Sequence, residues 1–179
     1  MAALTQLTLT NGVPGDAADD GTVLTLDGYL AQTTGFSASA TFTPAAASHV
    51  ANDCNGAAGT FANMGLSGKR IVVTSATLEI DGATAEATAW RLYLYNITPP
   101  SATADDGAWD LPSGDRASFL GYVDLGTAVD LGSTQWVETH GINKQVTLAG
   151  TSLFGYLVNL TTLTPANVAH IVTLHAVGL

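Results

Sequence analysis

IVVTSATLEIDGATAEATAWRLYLYNI, residues 71 to 97, is the stretch on which the fold turns. Its first ten residues alternate. Val72, Ala76, Leu78 and Ile80 share one face with Thr74, while Ser75, Thr77 and Glu79 take the other, which is the period of a half-buried strand. Asp81-Gly82 follows, a pair that tolerates the positive φ of a two-residue type I′ turn. The chain then returns with Trp90, Leu92 and Leu94 alternating with Arg91, Tyr93 and Tyr95. The pattern predicts a β-hairpin over residues 71–97. In it Glu79 faces Thr84 and Glu86 faces Thr77, so the two acids are diagonal neighbours on the outer face.

Period two continues on both sides of this stretch. GFSASATFTP (residues 35–44) reads as a strand. SFLGYVDL (residues 118–125) puts Phe119, Val123 and Leu125 on one side. TQWVETH (134–140) and KQVTLAG (144–150) flank a turn at Gly141 to Asn143. SLFGYLVNL (152–160) is apolar on both faces, as a central buried strand is. HIVTLHAVGL (170–179) points Val172, Leu174 and Ala176 inward. No run carries a helical apolar stripe of helical length. About eight short strands separated by turn signals predict an all-β fold, an antiparallel β-sandwich or jelly roll over residues 35–179. Residues 1–34 read as an extended N-terminal arm with short strand-like pieces, in which Leu4, Leu7 and Leu9 alternate with polar residues.

Composition narrows the function classes. Of the 179 residues, 11% are charged, against roughly 25% in ordinary soluble domains. Ala, Thr, Gly and Ser take their place, and such a surface loses little side-chain entropy on packing against a partner. The formal charge is −10, with five basic residues. A nucleic-acid partner needs a Lys/Arg footprint, and an anionic membrane surface needs the same, so neither is expected. The start, MAALTQLTLTNG, has no basic residue and no long apolar run, so no secretory signal is expected either. Cys54 is the single cysteine, which excludes an internal disulfide and a Cys-paired zinc site.

Motifs for catalysis are missing from the sequence. His49, His140, His170 and His175 stand in no ligand spacing, and there is no GxSxG, P-loop or GxGxxG. No catalytic residue, metal or cofactor is expected. The richest segment is NITPPSATADDGAWDLPSGDR, residues 96–116. Asp105, Asp106, Asp110 and Asp115 offer oxygens of the kind calcium takes, but the spacing is not that of an EF-hand loop. The reading favoured is an anchored acidic loop, with Asp-Asp-Gly as a turn, Trp109 and Leu111 dropping back onto the domain, and Ser113 opening a short helical turn. Asp105, Asp106, Trp109 and Asp110, with Leu4, Leu7 and Leu9 of the arm, are the candidate interface residues. A second reading makes the chain a carbohydrate-binding sandwich, with Tyr93, Tyr95, Trp109 and Trp136 available for a groove.

The same segment carries a resemblance. Leu94-Tyr95-Asn96, Pro99, Ala104-Asp105-Asp106, Ala108-Trp109, Ser113, Asp115 and Leu120-Gly121-Tyr122-Val123 follow one order. That order is similar to the "LFN … P … ADNAAF … SDAD … LGYV" run of proteins encoded beside the major capsid protein in tailed-bacteriophage genomes. TFTPAAASHVANDCNG (residues 41–56) resembles the segment that precedes their first core strands. The likeness spans roughly residues 36–179. It implies a capsid decoration, or cement, protein: a β-sandwich, commonly a homotrimer, on the outer surface of the phage head, made in the host cytoplasm and partnered by the major capsid protein. Asp106 stands where the family phrase has asparagine.

Overall fold

The stretch from residue 71 to residue 97 does not fold back on itself. The computed structural model describes residues 35–179, which form nine strands: β1 (Gly35–Phe42), β2 (Gly59–Phe61), β3 (Arg70–Ile80), β4 (Ala89–Tyr95), β5 (Phe119–Thr127), β6 (Val129–Asp130), β7 (Gln135–Thr147), β8 (Leu153–Asn159) and β9 (His170–Gly178). β3 and β4 lie in different sheets. The first sheet has the order β1-β9-β3-β7-β6, and the second β2-β8-β4-β5. The predicted hairpin is therefore corrected, and the physical reason is parity. A two-residue turn at Asp81-Gly82 pairs Ile80 with Ala83 and Val73 with Trp90. It then points Trp90, Leu92 and Leu94 to the face opposite Leu78 and Ile80. Crossing between sheets instead lets both sets enter one core, where all five are fully buried with Ala76.

The whole topology is one long antiparallel hairpin wrapped around that core. Its rungs are β1 with β9, β2 with β8, β3 with β7 and β4 with β5, and alternate rungs fall in opposite sheets. Wrapping then brings β9 against β3 and β8 against β4, all antiparallel. This is a jelly roll, as the alternation of short strands predicts. Inward residues of both sheets, among them Phe42, Phe61, Leu125, Leu148, Leu157, Val172 and Leu174, fill the space between them.

Register slips at three places break simple alternation, one in the β3–β7 pair and two in the β4–β5 pair. In β3 the register slips between Val73 and Ser75, so Ile71 and Val73 are buried together with Ala76 and Leu78, and Val72 is only half-buried. Opposite that slip, residues 141–143 leave the ladder of β7, with Gly141 at φ 69° and Asn143 at φ 49°. The turn expected there is a bulge within a single strand. β5 slips between Leu94 and Tyr95 of its partner, which sends Leu120 to the core and Phe119 to the outside of the second sheet.

Residues 81–88 cross from sheet to sheet, and buried polar bonds fix the crossing. Glu86 lies in this segment and is buried, rather than on an outer strand face as the hairpin predicted. Its Oε1 accepts from the Ala166 N–H at 2.9 Å, and its Oε2 lies 2.8 Å from His170 Nε2. The other ring nitrogen, His170 Nδ1, is 3.1 Å from the Val168 carbonyl, which can only accept, so Nδ1 carries a proton. The fully buried Gln135 side chain accepts from the Glu86 N–H at 2.8 Å and donates to the Thr84 carbonyl at 2.7 Å. Glu79, by contrast, sits between Trp136 and Ile171 on the outside of the first sheet. Replacing Glu86 by Ala strands the buried His170 ring and the half-buried Ala166 N–H at once. The expected cost is about 3–5 kcal/mol, read as a fall in the urea midpoint at unchanged m-value. Glu86→Gln keeps one acceptor and should lose clearly less.

Candidate functional site

The strands at the centre of the second sheet are apolar on both faces. Trp90, Leu92 and Leu94 of β4 and Leu153 and Leu157 of β8 enter the main core. Tyr93 and Tyr95 of β4 and Phe154, Tyr156 and Val158 of β8 point the other way. Gly155 is the exception in an otherwise bulky strand, since a Cβ there lies 2.5 Å from the Tyr93 carbonyl oxygen. Five outward apolar side chains side by side exceed what a monomer leaves in water. They are covered by two connections of the same chain, residues 43–58 between β1 and β2 and residues 96–118 between β4 and β5. Cys54, Trp109, Leu111 and Phe119 complete this second apolar layer. The Trp109 ring lies flat on Tyr93, with centroids 3.5 Å apart and planes 2° apart.

The two connections are stitched to each other and to the sheet. Asn55 N–H donates to the Leu157 carbonyl at 2.8 Å, Cys54 N–H to Gly107 at 2.9 Å, Asp106 N–H to Cys54 at 3.0 Å and Trp109 N–H to Asn52 at 2.8 Å. Tyr156 Oη accepts from the Thr103 N–H at 3.0 Å, and buried Asp115 takes both the N–H and the hydroxyl of Ser101. Asp105 is the clasp between the connections. Its Oδ1 accepts from the Gly56 N–H at 2.6 Å and its Oδ2 from the Ala45 N–H at 2.8 Å. Asp106 has φ 62°, in the left-handed region where Asn and Asp are enriched several-fold.

The expected site residues fare differently. Asp105, Asp106 and Trp109 come together on residues 43–58. Asp110 is exposed and apart, with its carboxylate turned to the Leu111 N–H at 2.8 Å. Residues 113–118 form consecutive turns in place of the expected helical turn. Leu4, Leu7 and Leu9 lie outside the described residues. The residues that sequence reasoning passed over are His49 and Asp53. His49 is fully buried, and neither ring nitrogen has a hydrogen-bond partner among the described residues; Nε2 is 4.0 Å from Asp105 Oδ1. Ligand atoms of His49, Asp53 and Asp106 all lie within 4.8 Å of one another. Asp53 Oδ2 accepts from the Val50 N–H at 2.6 Å. The nearby Cys54 thiol is pushed up to about 12, first by burial and then by the charges of Asp53 and Asp105. A reactive thiolate is thereby excluded at neutral pH.

The outside of the first sheet is built on other lines. Its register sets three rows across the strands: Ser37, His175, Ser75 and His140; Ser39, Thr173, Thr77 and Glu138; Thr41, Ile171, Glu79, Trp136 and Val129. Small hydroxyl side chains dominate, and Ser39 and Thr173 are bonded to each other at 2.7 Å. At the β6–β7 edge Trp136 is 37% exposed, Val129 62% and Leu131 66%. Among the described residues the sandwich therefore has one outer face closed by its own loops and one face of hydroxyl side chains interspersed with Glu79 and Glu138, with an apolar rim.

No family model and no curated protein matches the chain. Among solved structures it aligns with a chain of the native virion of Kashmir bee virus at acidic pH, at 10% identity and a TM-score of 0.29, over 94% of this chain and 80% of that one. It also aligns with a chain of black queen cell virus at 13% identity and a TM-score of 0.29, over 97% of this chain and 81% of that one. Scores of that size establish no shared fold. The jelly-roll assignment rests on strand order and register.

The clasp makes its own measurable demands. Asp105→Asn removes a charged acceptor from two backbone donors and should cost about 1.5–3 kcal/mol. Trp109→Ala should cost about 2 kcal/mol, less than a fully buried tryptophan because the ring is half-buried. Asp106→Asn should change stability by no more than about 0.5 kcal/mol. Denaturant midpoints check all three. Burial also pushes Tyr95 up to about 12. The unfolded chain ionises Cys54 and Tyr95 at lower pH than the folded chain does. Stability should accordingly hold below pH ~9 and fall as pH rises from there toward 12, and thiol labelling of the folded protein at pH 8 should be limited by unfolding.

Proposed function

We propose that the chain is a structural virion protein, specifically a tailed-phage capsid decoration protein that sits on the outer surface of the head and bridges subunits of the major capsid protein. The observation that carries the reading is the role of the residues that bear the resemblance. Asp105, Asp106 and Trp109 are the parts that shut the second sheet, so the family phrase is a folding determinant here. It belongs to a body built for rigidity. Jelly rolls serve viral capsids, lectins and cupins alike, so the architecture supports the reading without selecting it.

The open face supplies the complementary argument. A surface of Ser and Thr across β1, β9 and β3 orders few long side chains on contact, and Trp136 with Val129 and Leu131 offers the aromatic and aliphatic anchors that dominate interface energy. A homotrimer on a local threefold axis makes three linked contacts, which multiplies modest single affinities by about 10²–10⁴. Residues 1–34, with Leu4, Leu7 and Leu9 alternating with polar residues, have the pattern for adding a strand to a neighbour's edge. The carbohydrate-binding alternative loses Tyr93 and Tyr95, which are buried, and keeps Trp109 only as a half-buried ring stacked on Tyr93 within the loop.

The test is co-sedimentation of the purified chain with phage heads assembled from the major capsid protein of the same genome. Binding should saturate at a fixed ratio to capsid subunits, and the free protein should sediment as a trimer. Trp136→Glu, on the exposed edge, should weaken binding at least about tenfold with the folded state intact by circular dichroism. Protein that stays in the supernatant while binding a sugar on a glycan array would overturn the proposal in favour of a lectin.

A further inference from the structure

We propose that His49, Asp53 and Asp106, with Asp105 beside them, form a binding site for a divalent transition-metal cation of the zinc class. The sequence gives no hint of this, since the residues come from two connections more than fifty positions apart and match no ligand motif. The fold brings them together where residues 43–58 meet residues 96–118.

The imidazole is the central observation. A neutral histidine has one donor and one acceptor nitrogen, and both are expected to be satisfied when the ring is out of water. His49 is fully buried and both nitrogens lack a partner among the described residues. The nearest charged oxygen to Nε2, Asp105 Oδ1, is 4.0 Å away, beyond hydrogen-bond reach, and already takes the Gly56 N–H. The ring thus faces a group of carboxylates without bonding to any of them. An ion among these groups satisfies the ring nitrogen and neutralises part of a local charge that three aspartates create within a sparsely cationic chain.

Geometry and chemistry select the class of ion. Two ligand atoms each about 2.1 Å from one ion are at most about 4.2 Å apart. The observed spread, within 4.8 Å, closes to that by a small side-chain rotation. Asp106 is exposed while His49 and Asp53 are buried, so the site has a protein floor and a solvent side from which an ion enters and where water completes its shell. Calcium and magnesium prefer all-oxygen shells, whereas an imidazole with carboxylates suits zinc and its neighbours. The bound ion ties the two covering connections together at the point where Asp105 already clasps them, and it acts on stability through ligand linkage. This inference stands apart from the capsid reading, because it concerns the closure of the second sheet whatever the first sheet binds.

The experiment uses the full chain, stripped with a chelator and titrated with zinc, manganese or calcium chloride by calorimetry and by thermal unfolding. Zinc should bind one per chain and raise the unfolding midpoint. At a hundredfold excess over Kd the unfolding constant should fall about a hundredfold. The His49 ring signals should shift by NMR. Asp106→Asn keeps the left-handed backbone and the clasp, so its metal-free stability should match the wild type while its zinc affinity drops at least about tenfold; His49→Gln should abolish the shift. Zinc binding that leaves the His49 signals unmoved, or that survives Asp106→Asn at full strength, assigns the ion to surface histidines and overturns the proposal. So does tighter binding of calcium than of zinc, or no zinc effect at millimolar concentration.

Discussion

The structure depends on a sheet that has to be dry on both sides. β4 and β8 carry large apolar side chains in both directions, and a sandwich covers only one of them. An aromatic side chain buries about 150–250 Å², so Tyr93, Tyr95, Phe154 and Tyr156 together form a patch well beyond what water tolerates on a monomer. The second cover has to come from somewhere. Here it comes from the chain itself, and that requirement sets the length of residues 43–58 and 96–118 and their lack of regular structure. Loops of that length carry backbone polar groups that cannot be left unpaired against an apolar surface. Hence the ladder between residues 52–55 and 106–109, and hence Asp105, whose two oxygens hold one donor at each end of the first connection. The acidic character of the loop follows from the same need. Asp105 and Asp115 are inward-facing acceptors for backbone and hydroxyl donors, and Asp110 bonds its own neighbour.

Much of the architecture is legible in the residues. The strands of residues 35–42, 153–159 and 170–178 match their alternating or two-faced patterns almost to the residue. That SLFGYLVNL is apolar on both faces even announces a covered second face. The hairpin error was also legible. With Asp81-Gly82 as a turn, Leu78 and Trp90 cannot face the same way, and two bulky sets of one parity on either side of a two-residue turn mean a change of sheet. The local signal of Asp-Gly outweighed the global count of faces. Glu86 is informative in the same way. In a hairpin it is a bland surface acid. In a crossing it is the carboxylate that pairs with His170, and its burial with Gln135 is what turns the chain from one sheet to the other.

What stayed hidden depends on contacts distant in sequence. A bulge is invisible to period counting, because it moves half a strand to the other face without changing any residue. Val72 and Val73 are equally apolar, and only the slip opposite residues 141–143 decides which is buried. Phe119 and Leu120 are a second such pair. The grouping of His49 with Asp53 and Asp106 was hidden more deeply. His49 and Asp53 are four apart in an irregular segment, where spacing says nothing about direction, and Asp106 arrives through the register of Cys54 with Gly107. Only the fold supplies that register.

The two outer faces divide the labour of the molecule. The second sheet is committed to its own loops, so a partner reaching its strands would have to displace Trp109 from Tyr93 and break the Asp105 clasp, and rigid docking is the ordinary case. The first sheet asks nothing of the kind, since among the described residues no loop has to be lifted from its outer face, where Ser and Thr alternate with a few longer side chains. A cation at the clasp and a partner on the open sheet are then separated by the full thickness of the sandwich, roughly 10 Å between sheets, and by a close-packed core with no second arrangement in evidence. Coupling between two sites requires an element that both can bias. Without one, metal at His49 tunes how long the protein survives and leaves its affinity for a partner on the first sheet unchanged. The clasp and the open sheet thus rest on separate residues on opposite faces of the sandwich.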